Sequence, residues 1–300
     1  MIAGYLNINS QETDTNSTQR FSEDLKKLVA LNSSLPNVVD LRHKEAVNIM
    51  TNATARQIVK ITAPYINSTI LNAKNLCLSL LNDALFKKAK IQLQKQEIVE
   101  MLCKNYLSND HDIQVVSGSL FRLTEKDFNP AAKKYIAELL DPEPRSFHSI
   151  VGKLLAVAQV RESIPWLWKV VNKDIKMMTH HDVDILASLA RMNEKQAARL
   201  LCGYYNNTKN RTDYRYIFIS GNLAFSLDST VLNCMVNDFK TLDLEKVFRD
   251  GDTGFYPAGH LGTGIAMMLK NYPYQRDFYV DTKLLLNWLN QQKQVDLVEK

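Results

Sequence analysis

Leu154-Leu155-Ala156-Val157-Ala158-Gln159-Val160 reads as an apolar helix, Arg161-Glu162-Ser163 as a polar turn, and Ile164-Pro165-Trp166-Leu167-Trp168-Lys169-Val170-Val171 as a second helix. Proline suits a first helical turn, where a missing N–H leaves no bond unmade. The order returns in Ile185-Leu186-Ala187-Ser188-Leu189-Ala190-Arg191-Met192, then Asn193-Glu194-Lys195, then Gln196-Ala197-Ala198-Arg199-Leu200-Leu201. A third copy runs through Gly221-Asn222-Leu223-Ala224-Phe225-Ser226-Leu227, Asp228-Ser229-Thr230 and Val231-Leu232-Asn233-Cys234-Met235-Val236. Turns that recur roughly every 30–35 residues predict stacked helical pairs, and hence an all-α chain with extended binding surfaces.

Composition agrees. With 10 glycines and 8 prolines among 300 residues, the chain has too few turn formers for a β-sandwich or barrel. A hydrophobic share of 45% and a charged share of 23% are those of a globular protein with a sizeable core. Cys77, Cys103, Cys202 and Cys234 are scattered, so they read as small apolar residues in a reducing compartment. No secretion signal and no run of ~20 apolar residues is visible, and the expected location is the cytoplasm.

Outward from the repeats, residues 1–21 read as a mobile polar leader, because Ser10 to Arg20 is nearly devoid of apolar side chains. Residues 22–140 read as an irregular helical region and residues 145–300 as the repeat region, divided at Asp141-Pro142-Glu143-Pro144-Arg145. Within the first region, helices are expected from Ser22, over Asp40–Lys60, over Ser68–Leu93, over Glu97–Tyr106 and from Pro130 to Leu140. The β-branched run Ile113-Gln114-Val115-Val116, with Gly118 behind it, predicts a short hairpin or irregular connection. In the last part, Asp250-Gly251-Asp252-Thr253-Gly254 is a turn cluster, ahead of helices over His260–Leu269 and Asp281–Gln292.

At Leu154–Val171 and Leu186–Leu201 the chain resembles HEAT-type helical repeats: small Ala156, Ala158, Ala187 and Ala190 in the first helices, a polar turn, and Pro165 or Ala197 early in the second. The resemblance covers about a third of the chain and implies a scaffold whose second helices line a partner-binding face. Helical phase then nominates Trp166, Lys169, Lys173, Arg199, Asn233 and Asn237 for contact with a protein partner.

A second reading is an RNA or single-stranded nucleic-acid binder. Residues 51–109 hold eight basic and three acidic side chains, an excess equal to the whole chain's +5. Lys87, Lys88, Lys90 and Lys95 concentrate it, while Tyr204, Arg211, Tyr214 and Arg215 mix aromatics with cations as base-stacking surfaces do. Lysines late in a helix also answer its negative end without any ligand. A third reading, a metal phosphohydrolase of the HD type, rests on His180-His181-Asp182-Val183-Asp184 with His148 upstream; against it, Thr179 and Asp182 also suit a helix cap. Gly259, Gly262 and Gly264 precede no Walker lysine, so close helix packing explains them better than a phosphate loop. With no nucleophile or acid–base pair in view, the expectation is a non-catalytic protein without a cofactor.

Overall fold

The computed structural model describes residues 3–33, 39–108, 110–140, 148–208, 215–250, 253–273, 280–292, 295–298 and 300. They form an all-α chain with one two-stranded ribbon, divided into two compact units. One comprises Met1–Leu120 and Lys126–Tyr135, the other Phe121–Glu125 and Ile136–Lys300. The proline-rich stretch 141–145 lies outside the described residues.

The first unit holds α1 (Ala3–Ser33), α2 (Lys44–Asn52), α3 (Ala55–Thr62), α4 (Leu71–Asp83), α5 (Gln92–Tyr106), α6 (Asp110–Leu120) and the start of α7 (Pro130–Ala137). The helix expected from Ser22 extends back through the polar leader to Ala3. No glycine or proline stands between Tyr5 and Leu35 to stop it. Its inner face is Phe21, Leu25 and Leu28, with Leu25 and Leu28 fully buried.

The helix expected over Asp40–Lys60 is broken at Ala53, whose backbone is extended. Thr54 then starts α3 with a reciprocal cap: its hydroxyl accepts from the Gln57 N–H at 3.3 Å and its own N–H donates to the Gln57 side chain at 2.9 Å.

The expected connection at 110–123 is instead helix α6. Ile113, Val116 and Leu120 recur at helical spacing and are all fully buried, so burial overrides the strand preference of β-branched residues. Gly118 makes no turn there; a Cβ at that position would meet nothing within 4 Å.

The second unit contains three helix–turn–helix pairs: α8 (His148–Val157) with α9 (Ile164–Val170), α10 (His180–Arg191) with α11 (Lys195–Thr208), and α12 (Arg215–Phe225) with α13 (Ser229–Phe239). Strands β1 (Phe248–Asp250) and β2 (Thr253–Phe255) pair antiparallel, and α14 (Pro257–Met268) and α15 (Thr282–Gln291) follow. Helix α8 packs on α10, α10 on α12 and α12 on α14, while α11 packs on α13.

The three turns are built alike. Gln159, Asn193 and Leu227 have positive φ, at 53°, 71° and 45°, and each lies 34 residues after the one before. A left-handed residue turns the last N–H groups back onto the helix end. The N–H of Gln159 donates to Ala156 O at 3.3 Å, that of Asn193 to Ala190 O at 2.9 Å and that of Leu227 to Ala224 O at 3.4 Å. The same Leu-Ala pair precedes each turn: Leu155-Ala156, Leu189-Ala190 and Leu223-Ala224. Side chains at matching positions are buried alike, with Leu155, Leu189, Leu223, Leu167, Leu201 and Met235 all fully buried. Each such burial stabilises the fold by about 1.5–3 kcal/mol.

The turns are also tied to one another. Gln159 Nε2 donates to Arg191 O at 3.2 Å, and Arg191 donates to Phe225 O at 3.1 Å.

Candidate functional site

Two surfaces carry the residues that the sequence singles out, one in each unit. In the second unit the 34-residue period places side chains in rows along the second helices α9, α11 and α13. One row is Pro165, Arg199 and Asn233 and the next is Lys169, Gly203 and Asn237, while Lys173 and Thr241 lie past the ends of α9 and α13. Gly203 is half-buried and the others are exposed. Four of the six nominated residues, Lys169, Arg199, Asn233 and Asn237, therefore fall in these rows, and Lys173 is exposed beyond the end of α9.

Trp166 differs. It is half-buried and packs against the hydrophobic core of this unit, as does Trp168. Trp168 donates its indole N–H to Glu194 at 3.1 Å, and the Lys173 ammonium lies over its ring, 5.3 Å from the centroid. The lysine-capped tryptophan of this face is thus Trp168, which the phase argument passed over because its core-facing neighbours obscured it.

The charged groups beneath the face are structural. Lys153 pairs with buried Asp184 at 2.6 Å. The Arg191 guanidinium sits 4.8 Å from the Phe225 ring centroid, and burial lowers its pKa to about 10. Cys202 and Cys234, on the neighbouring helices α11 and α13, share a hydrogen bond that with burial pushes the Cys202 thiol up.

The His-His-Asp string opens α10, where Asp182 is occupied as a cap. Its Oδ2 accepts from the Thr179 N–H and hydroxyl, both at 2.8 Å, and its Oδ1 from the Asn172 N–H at 2.7 Å. His181 Nδ1 lies 3.4 Å from Ser149 Oγ, and the centroids of the two histidine rings are 4.0 Å apart with the planes tilted by 44°. Among the described residues, no three His, Cys, Asp or Glu side chains gather as metal ligands.

The glycines of 259–264 lie inside α14 rather than in a loop. A Cβ on Gly259 would come within 2.2 Å of the Tyr256 ring, and one on Gly264 within 3.4 Å of Ala224 and Ser220 O. The close passage of α14 past α12 needs Gly264 small, whereas Gly262 makes room for Val280, Phe239 and Leu285.

Of the nucleic-acid set, Tyr204 is 8% exposed, so its ring is not open for a base to stack on. Its ring completes the core that α11 turns inward. Arg211 and Tyr214 lie outside the described residues, and Arg215 begins α12.

The other surface is the α4–α5 junction of the first unit. The helix expected to run unbroken from Ser68 to Leu93 stops regular α-helix at Asp83 and widens into a π-helical turn, Ala84–Lys88, closed by the Ala89 N–H on Ala84 O at 2.8 Å. Lys87 pairs with buried Asp83 at 2.7 Å, and Lys88 donates to Ala53 O at 2.7 Å. Lys90 is exposed and Lys95 half-buried. Gln92 and Gln96 both donate to Lys126 O, at 2.7 and 2.8 Å.

Compared with family models, curated proteins and solved structures, the chain matches none. Among the described residues, no helix is long and apolar enough to cross a membrane.

Proposed function

We propose that the chain is a non-catalytic binding protein that engages a protein partner along the second helices of a HEAT-like array. The observation that carries this reading is the 34-residue recurrence of the left-handed turn at Gln159, Asn193 and Leu227. A repeated turn gives successive second helices the same phase, so Lys169, Arg199, Asn233 and Asn237 form an ordered exposed surface rather than scattered contacts. Trp168, clamped between Glu194 and Lys173, supplies a rigid partly apolar anchor at one end, of the kind on which binding energy concentrates.

The test is quantitative affinity capture with wild-type protein and with Lys169→Ala/Arg199→Ala/Asn233→Ala/Asn237→Ala. All four side chains are exposed, so the variant keeps its melting temperature within a few degrees. The reading expects at least a tenfold loss of the specifically captured partner. Full retention by the folded variant would put the binding face elsewhere. A labelled single-stranded RNA titrated at several salt concentrations separates the nucleic-acid reading, which requires steeply salt-dependent binding.

A further inference from the structure

We propose that the α4–α5 junction is a peripheral docking site for an anionic phospholipid surface. Two large apolar side chains stand out of the fold, Ile91 at 56% and Leu93 at 61% exposure, and Phe86, seven residues before Leu93, is partly exposed at 36%. Lys87, Lys88, Lys90 and Lys95 are interleaved with them, and no carboxylate occurs from Ala84 to Gln96. The acids around it are Asp83, buried and paired with Lys87, Asp127, buried and accepting from Gln92 at 3.0 Å, and Glu97, a turn into α5.

The exposure is built into the fold. The π-helical turn, the Lys88 bond to Ala53 O, the Lys90 N–H bond to Gln94 and the paired Gln92 and Gln96 bonds to Lys126 O brace this junction from several directions. A junction so well braced still leaves Ile91 and Leu93 in water.

Charge and chemistry together select the partner. Lysines ringing exposed aliphatic groups match an anionic bilayer, whose headgroups take the cations while the acyl boundary takes the apolar tips. Nucleic acid would use the cations but has no use for Ile91 and Leu93, since bases stack on aromatic rings. This site is independent of the second-helix face.

The experiment is co-sedimentation of the full chain with phosphatidylcholine vesicles, with and without phosphatidylserine, at low and physiological salt. Binding at least about tenfold stronger with phosphatidylserine is expected, weakening as salt rises. Ile91→Ser/Leu93→Ser leaves the charge unchanged and is expected to lower binding about tenfold or more. Lys87→Gln/Lys90→Gln/Lys95→Gln is expected to do the same. Circular dichroism verifies folding. As an independent readout, the fluorescence that Leu93→Trp adds over the three native tryptophans is expected to be quenched by brominated acyl chains.

Wild-type protein that ignores phosphatidylserine vesicles overturns the proposal, as does an unquenched Trp at 93. Binding that depends on the lysines but survives Ile91→Ser/Leu93→Ser also overturns it. In that case single-stranded RNA competing equally well would identify a general polyanion patch.

Discussion

The two units solve one problem differently: how to end a helix and begin the next. In the second unit the backbone does it by itself, three times over, with a left-handed residue 34 positions after the last. In the first unit, long side chains reach across to backbone carbonyls of other helices and corners. Asn72 donates to Asn32 O at 2.8 Å, the Tyr106 hydroxyl to Lys74 O at 2.7 Å, and Lys88 to Ala53 O at 2.7 Å. A shared turn propagates phase and yields a regular surface; individual braces hold single corners and allow local departures such as the π-helical turn at Ala84–Lys88.

The strongest blow to the repeat unit should come from its buried ion pair. Lys153→Met strands Asp184, whose side chain is 8% exposed, and is expected to destabilise by about 3 kcal/mol in urea unfolding. A loss below 1 kcal/mol would mean that Asp184 is held by other groups. In the first unit, Tyr106→Phe leaves the carbonyl of Lys74 without this donor and is expected to remove about 1–2 kcal/mol. If that substitution proved neutral, side-chain bracing would not be what holds these corners.

The shared turn can be tested at exposed Asn193, whose φ is 71°. Asn193→Ala is expected to cost about 1 kcal/mol, and Asn193→Gly much less, because glycine adopts this conformation freely. Equal effects of both would show that backbone strain is not the issue. The smallest change belongs to Lys283→Met: its partner Glu245 and the lysine are both mostly exposed, so the urea midpoint should not shift measurably.

The repeat half was legible because its signals are local: apolar runs, Pro165 at a first turn and Asn193 in a tight loop. The true period was hidden, since only one of its three left-handed residues, Asn193, is of a type that commonly adopts that conformation. Gln159 and Leu227 give no such warning, although the Leu-Ala pair 34 residues apart was there to be found. The first half was harder because its breaks come from tertiary bonds. Nothing near Lys88 says that its ammonium will reach back to Ala53, and nothing in Ile113–Val116 alone says that burial of Ile113, Val116 and Leu120 will hold the segment helical. Exposure misled in the same way: Trp166 and Tyr204 carry the chemistry of contact residues, yet the packing of α9 and α11 draws them inward.

The most direct test of the account crosses the two surfaces. Lys169→Ala/Arg199→Ala/Asn233→Ala/Asn237→Ala and Ile91→Ser/Leu93→Ser are each assayed, as folded full-length protein, for capture of the protein partner and for binding to phosphatidylserine vesicles. The account predicts that the first loses the partner at least tenfold and keeps the vesicles, and that the second does the reverse. Retention of the partner by the four-residue variant would contradict the central claim that the second-helix face does the binding.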